Sequence, residues 1–168
     1  MSPSVAKVYI DTSVFIYYLH SGKTETGFQK AETFFKEIEK GNYKASTSTF
    51  TKFEYRGYLK QRRAEIAGHD ANRNELDALG DDLDRLLEDF GVDLLSTEVA
   101  LGQNWVQECG EVIDKSCPLQ RGSKWFVMRG ADIVHALIAA KVGIKELATF
   151  DNGFRSFRDS VVPKILWD

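Results

Sequence analysis

Short apolar runs that suit buried strands alternate along this chain with longer segments of helical periodicity. Strands are predicted at residues 7–10, 43–46, 92–95, 146–150 and 161–166. Pro163 assigns the last of them to an edge of the sheet, because proline cannot donate a ladder hydrogen bond. Strands that alternate with helices pair in parallel, since each helix returns the chain to the same end of the sheet. The chain is therefore predicted to form an α/β fold.

Helices are predicted between these strands. The strongest apolar stripe comprises Leu76, Leu79, Leu83, Leu86, Leu87 and Phe90. The acidic run from Asp81 to Asp89 is interpreted as the solvated face of that helix. Thr12 or Ser13 can cap the first helix, and Gly143 ends the last one. The predicted helices cover residues 13–19, 28–40, 51–67, 74–90, 97–113 and 131–142, and residues 117–124 are predicted to be a loop.

Size, charge and cysteine content narrow the possible functions. The 168 residues fit a single domain over residues 1–168. A net charge of −3 argues against a surface that coats nucleic acid broadly. Cys109 and Cys117 lack metal-ligand spacing and are too few for a disulfide framework. No apolar leader precedes Lys7 and no apolar stretch of about 18 residues occurs, so a cytoplasmic protein without membrane attachment is expected.

Four carboxylates fall where an open parallel sheet gathers functional groups. Asp11 and Asp151 each follow an apolar strand, while Glu54 and Asp132 lie in or at the start of predicted helices. Charged groups at the carboxyl ends of parallel strands face the ligand crevice of such a sheet. Singly, Asp11 suits a helix cap and Asp132 suits the positive end of a helix. Together, such acids repel each other in a cleft unless a cation neutralises them, which predicts a hard divalent metal ion and a metal-dependent nuclease.

The segments around these acids together resemble the PIN-domain ribonucleases, in particular the small stand-alone type that includes VapC-like toxins. They are Val-Tyr-Ile-Asp-Thr-Ser at 8–13, Phe-Thr-Lys-Phe-Glu-Tyr at 50–55, Asp-Ile-Val-His-Ala at 132–136 and Thr-Phe-Asp-Asn-Gly-Phe at 149–154. The order of the segments agrees with the family over nearly the whole chain. The resemblance implies a three-layer α/β/α fold with a central, mostly parallel sheet of four to five strands. It also implies hydrolysis of RNA phosphodiester bonds that depends on Mg²⁺ or Mn²⁺.

Under this interpretation the four acids are the catalytic metal ligands. Asp11 is the central ligand, able to bridge two ions, with Asp132 and Asp151 on either side of it. Glu54 binds through water or orients the nucleophile, since Mg²⁺ usually keeps several water ligands. Glu32 and Glu37 are rivals to Glu54, but they precede the second strand, whereas the family order has the acid after it.

Several uncharged side chains next to the acids are expected to support the site. Hydroxyl and amide groups can position water or phosphate without adding charge. These candidates are Thr12, Ser13, Thr149 and Asn152. His135 lies one helical turn after Asp132 and is interpreted as a packed or ligand-orienting residue rather than a general acid.

A row of basic residues on the helix that carries Glu54 is a candidate RNA contact. The row comprises Lys52, Arg56, Lys60 and Arg63, which recur at helical spacing. Tyr55 and Tyr58 beside them are candidates for stacking on bases. A solvated helix face explains the same row. Lys124, Trp125 and Arg129, which precede Asp132, form a second candidate.

Two other functions are consistent with parts of the pattern. A phosphatase or phosphotransferase would use Asp11 as its nucleophile, but Ser13 stands where such an enzyme has a second aspartate. A catalytically silent PIN-like module that binds RNA or a protein would have no chemical need for all four acids. If the toxin resemblance holds, the protein is a homodimer, and a small antitoxin covers its acidic cleft as in type II toxin–antitoxin pairs.

Overall fold

Helices and strands alternate through the computed structural model, which describes residues 5–67, 73–115, 119–121, 124–126, 129–156 and 164–167. The strands are β1 (Ala6–Ile10), β2 (Tyr43–Ser48), β3 (Asp93–Leu95), β4 (Leu119–Arg121), β5 (Lys124–Phe126), β6 (Glu146–Ala148) and β7 (Lys164–Ile165). The helices are α1 (Thr12–His20), α2 (Thr26–Glu39), α3 (Thr49–Ala67), α4 (Arg73–Asp89), α5 (Thr97–Leu101), α6 (Trp105–Lys115) and α7 (Gly130–Lys141). A 3-10 helix, Asn152–Ser156, follows β6.

The main sheet has five parallel strands in the order β3-β2-β1-β6-β7. The central strand β1 places Val8 opposite Ala45 of β2 and Tyr9 opposite Leu147 of β6. The last strand, β7, lies at the edge of the sheet, as predicted for the strand at residues 161–166, of which residues 161–163 lie outside the described part of the chain. Strands β4 and β5 form a separate antiparallel pair. The predicted α/β fold with a mostly parallel central sheet is confirmed.

Side chains of β1 alternate between two cores, one on each face of the sheet. Val8 and Ile10 pack in a cluster with residues of helices α1 to α4, among them Phe35. Tyr9 packs in a second cluster with residues of α5, α6 and α7, among them Ile133. This alternation follows from the two-residue period of a strand, which buries both faces of a sheet covered by helices. The three layers predicted from the family resemblance are therefore present.

Two predicted segments differ from the structure. The helix predicted over residues 97–113 is divided into α5 and α6 at Gly102, whose φ of 73° ends α5 in a backbone conformation that glycine adopts without strain. Ser96 caps α5 by accepting a hydrogen bond from the backbone N–H of Val99. The loop predicted over residues 117–124 contains β4 and the first residue of β5 instead.

Two features of the described residues bear on environment. None of the described helices has the length and apolar character that crossing a membrane requires. Cys109 is a free thiol, and Cys117 lies outside the described residues.

Candidate metal centre

Asp11 lies at the carboxyl edge of the sheet, directly after β1. Its backbone N–H donates to the carbonyl of Ala148 at 3.0 Å, which extends the pairing of β1 with β6 by one residue. Oδ2 of its carboxylate accepts hydrogen bonds from Ser13 Oγ at 2.6 Å and from Thr149 Oγ1 at 2.7 Å. The side chain is 5% exposed. Sheet pairing and two hydroxyl donors thus fix the orientation of this carboxylate.

Asp11 is also the N-cap of α1. Oδ2 accepts a hydrogen bond from the backbone N–H of Ser13 at 3.4 Å. The prediction that Thr12 or Ser13 caps the helix is wrong, because both hydroxyls donate to acids instead. Thr12 Oγ1 donates to Glu54 Oε2 at 2.5 Å, and Ser13 Oγ donates to Asp11. Ser13 and Thr12 therefore connect acids of the site with α1.

Glu54 reaches the same edge from the second turn of α3. Its Oε2 lies 2.5 Å from His135 Nε2 and 2.5 Å from Thr12 Oγ1. Burial acts to raise the pKa of Glu54, but the hydrogen bond and charge of His135 and the hydrogen bond from Thr12 lower it overall. Glu54 is thus held as a carboxylate, which is the form that binds a cation.

The rival acids Glu32 and Glu37 lie on α2 and bind partners there. Glu32 forms an ion pair with Lys36 at 3.0 Å. Glu37 accepts hydrogen bonds from Lys40 and from Asn42, each at 2.6 Å. Of Glu32, Glu37 and Glu54, the structure brings Glu54 close to Asp11.

Asp132 lies in the first turn of α7 and is 6% exposed. Its Oδ2 accepts a hydrogen bond from the backbone N–H of Arg129 at 2.8 Å. Burial, together with the negative charges of Asp151 and Asp11, raises the pKa of Asp132 to about 7, against the lowering effects of that hydrogen bond and of His135. Burial is the largest of these causes, and the charges of Asp151 and Asp11 add to it, so the three aspartates interact electrostatically.

Asp151, the last of the four predicted acids, lies in the segment after β6. Its Oδ1 accepts a hydrogen bond from the backbone N–H of Gly153 at 2.7 Å, and its own N–H donates to Thr149 Oγ1 at 2.9 Å. Thr149 therefore contacts both Asp11 and Asp151. Asn152, the fourth uncharged candidate, is exposed at the start of the 3-10 helix.

A divalent cation suits the donors at this edge. Single ligand atoms of Asp11, Glu54 and His135 all lie within 4.8 Å of one another. Carboxylate oxygens are the ligands that Mg²⁺ and Mn²⁺ prefer, and a cation would remove the repulsion that adds to burial in raising the pKa of Asp132. Of the four predicted acids, Asp11 and Glu54 meet with His135 at one candidate metal position. Asp132 and Asp151 are near enough for the charges of Asp151 and Asp11 to act on Asp132.

The basic row on α3 lies on the face turned away from the acids. At about 100° per residue, Lys52 and Arg56 point about 160° from Glu54 around the helix axis. Lys52 forms an ion pair with Asp84 at 2.5 Å, and Arg56 forms one with Asp77 at 2.7 Å. The ion pair of Asp84 thus joins α4 to α3, so part of the acidic run of α4 contacts the neighbouring helix and is not only a solvated face. Lys60 is exposed, and the side chain of Arg63 lies outside the described residues.

Tyr55 does not stack on bases as the sequence had suggested. The side chain is 1% exposed, and its hydroxyl lies 2.7 Å from His20 Nε2. Tyr58 is half-buried, with its ring centroid 5.4 Å from that of His20. Packing between α1 and α3 buries this side of the helix, which periodicity alone did not reveal.

Tyr9 and Ser48 contribute polar groups to the site but were not predicted from the sequence as site residues. The Tyr9 hydroxyl donates to Ser48 Oγ at 2.7 Å and lies 2.9 Å from His135 Nδ1. Burial raises the pKa of Tyr9, so the phenol stays protonated. A tyrosine within a buried strand signals that its hydroxyl needs a partner, but only the fold identifies His135 and Ser48 as the partners.

Metal-free protein is expected to lose stability as the pH rises from about 4 to about 7 because of Asp132. The folded protein binds the proton up to about pH 7, whereas an unperturbed aspartate releases it near 3.8. Between these values ionisation favours the unfolded chain, and the stability that this carboxyl contributes is lost as the pH rises through 7. Urea unfolding in EDTA should therefore show a smaller loss of stability between about pH 5 and about pH 8 in Asp132→Asn than in the wild type. Equal losses would contradict the raised pKa.

Comparison with known families agrees with this arrangement. A family model described as the PIN domain matches residues 8–159, a span that includes all four acids. A search of curated proteins finds no match to the chain.

Proposed function

This chain belongs to the PIN-domain family, and we propose that it is an endoribonuclease that uses a divalent metal ion to hydrolyse RNA phosphodiester bonds. PIN domains are generally metal-dependent nucleases. The observation that carries the proposal is the meeting of Asp11 and Glu54 with His135 within 4.8 Å at one edge of the sheet. The raised pKa of Asp132, caused by burial and by the charges of Asp151 and Asp11, supports a nearby site for a cation.

Each carboxylate is assigned a separate position around the metal ion. Asp11 is assigned as the central ligand through Oδ1, because its described hydrogen bonds fall on Oδ2. Asp132 and Asp151 complete the site on either side. A bound divalent ion would supply charge neutralisation at the phosphate and would lower the pKa of a water molecule.

Glu54 is assigned to orient the attacking water. Its Oε2 is held by Thr12 and His135, so Oε1 is the oxygen assigned to accept a hydrogen bond from that water. Because the pKa of Glu54 is lowered, the side chain is a hydrogen-bond acceptor at neutral pH.

Arg129 is the proposed phosphate contact. It is exposed immediately before α7, and its backbone N–H binds Asp132, so it stands at the rim of the acidic group. We expect Arg129→Ala to weaken RNA binding and to reduce the slope of log K against log salt concentration by about one. Arg56→Ala should change neither quantity, because Arg56 pairs with Asp77 on the opposite face of α3. Fluorescence anisotropy in a salt series measures the affinity for RNA and its dependence on salt. If Arg56→Ala weakened RNA binding and Arg129→Ala did not, RNA binding would be assigned to the basic row instead.

The nuclease is tested with labelled single-stranded RNA and DNA of the same sequence, each with Mg²⁺, Mn²⁺ or EDTA. Cleavage of RNA alone that requires the metal supports the proposal. Cleavage of DNA alone would retain the metal-dependent chemistry and refute the substrate. Folded protein that binds RNA without cutting it under any of these conditions would identify a catalytically silent RNA-binding module.

The toxin role, the antitoxin and the homodimer rest on the resemblance to VapC-like toxins. We propose that the protein dimerises, acts in the cytoplasm, and is inhibited by a small protein whose basic residues enter the acidic group. Light scattering should give the mass of two chains. Growth arrest on expression would support the toxin role, and normal growth with active protein would refute it.

A further inference from the structure

The imidazole of His135 is fully buried among the oxygens of the site. Its Nε2 lies 2.5 Å from Glu54 Oε2, 3.4 Å from Asp11 Oδ1 and 3.3 Å from Thr12 Oγ1. The nitrogen therefore faces the same space as the two carboxylates rather than an apolar core. A buried ring with this orientation is positioned to donate either a proton or an electron pair to that space.

Hydrogen bonds on the other side of the ring hold its orientation. The Tyr9 hydroxyl has one proton and donates it to Ser48 Oγ, so towards His135 the phenol oxygen is an acceptor. Nδ1 of His135 then carries hydrogen and donates it to Tyr9. In the metal-free protein Nε2 also carries hydrogen and donates it to Glu54 Oε2, so an ion bound to Nε2 would take the place of that proton. Histidine ligands in proteins are usually held by such a donation from the second ring nitrogen.

From this geometry we propose that His135 Nε2 is a direct ligand of the ion bound by Asp11 Oδ1, which lies 3.4 Å from it, so that the centre is a mixed imidazole and carboxylate site. Donors about 2.1 Å from one ion lie at most about 4.2 Å apart, so ligand atoms already within 4.8 Å need only small side-chain movements. Tyr9 is a positioning residue that acts through His135. The inference rests on the metal-dependent function proposed above.

A nitrogen ligand changes which metal the site prefers. Mg²⁺ binds oxygen ligands in a strict octahedron and gains little from imidazole. Mn²⁺ and the later first-row divalent ions accept imidazole more readily. The centre should therefore bind Mn²⁺ more tightly than Mg²⁺, and the difference should depend on His135.

The test uses Mn²⁺ alone with the full-length protein. Pulsed electron paramagnetic resonance of bound Mn²⁺ should detect a directly coordinated ¹⁴N nucleus in the wild type, and His135→Gln should lose that signal. His135→Gln should also weaken Mn²⁺ binding about tenfold or more and weaken Mg²⁺ binding less. Tyr9→Phe should keep the nitrogen signal and weaken Mn²⁺ binding about tenfold. Tyr55→Phe is the matched control, since this buried hydroxyl also contacts a histidine, His20, away from the acids.

The possible outcomes distinguish failure of the ligand role of His135 from failure of the proposed nuclease function. Bound Mn²⁺ without ¹⁴N coupling in the wild type would overturn the ligand role and leave the nuclease standing. Equal losses of Mn²⁺ and Mg²⁺ affinity in His135→Gln would show that His135 acts only by orienting Glu54. A ¹⁴N signal without RNA cleavage would retain the ligand and refute the nuclease. Absence of Mn²⁺ binding would overturn both, and the wild-type measurement does not depend on any variant folding.

Discussion

Asp11→Asn is expected to lower the rate of metal-dependent RNA cleavage by about 100-fold to 1000-fold, because weakening the ion that Asp11 binds weakens electrostatic stabilisation of the transition state. Asparagine has nearly the same shape, and its Oδ1 can accept the hydrogen bonds from Ser13 and Thr149 that Oδ2 accepts now. The fold should therefore persist while the central negative charge is lost. Removing that charge also removes one cause of the raised pKa of Asp132. Single-turnover cleavage with saturating Mn²⁺ measures the effect.

Asp93→Asn is the matched control for this prediction. Asp93 is an exposed carboxylate on β3 that pairs with Lys44 at 3.4 Å. Exposed ion pairs contribute about 1 kcal/mol or less, so this variant should retain the stability and cleavage rate of the wild type. If Asp11→Asn cleaved RNA as fast as Asp93→Asn, Asp11 would have no role in the catalytic site.

Phe35→Ala is expected to destabilise the protein by about 3–5 kcal/mol, the usual cost of deleting a buried aromatic ring. Phe35 is fully buried on α2, and its ring centroid lies 4.7 Å from that of Phe90, 4.8 Å from that of Tyr18 and 6.0 Å from that of Phe15. The loss is a large part of the about 5–15 kcal/mol by which domains are stable. Urea unfolding of metal-free protein gives the free energy directly.

The control for packing is Phe53→Ala on α3. Phe53 is 72% exposed and stacks on Phe50 with ring centroids 5.9 Å apart. A surface substitution of this kind should change the free energy of unfolding by about 0.5 kcal/mol or less. Comparable effects of the two variants would mean that α2 does not pack on the sheet as described. The result bears on the site because Thr12 begins α1, which packs in the same layer as α2 and Phe35.

Some features of this protein follow from local sequence. The alternation of apolar strands with amphipathic helices predicted the α/β fold, because the spacing of apolar residues differs between strands and helices and can be recognised in the sequence. The edge position of the last strand was also predicted from the sequence. The placing of Asp11 and Asp151 at one edge followed as well, since parallel strands present their carboxyl ends on the same side.

Other features depend on which faces pack together, and no local pattern reports them. Spacing puts Lys52 and Arg56 in a row on the side of α3 opposite Glu54. Only the docking of α4 on α3 pairs that row with Asp84 and Asp77. The same packing buried Tyr55 against His20. The hydrogen bonds from Ser48 through Tyr9 and His135 to Glu54 join four segments. Such contacts span long stretches of chain, so they exist only after the whole fold has brought those segments to one place.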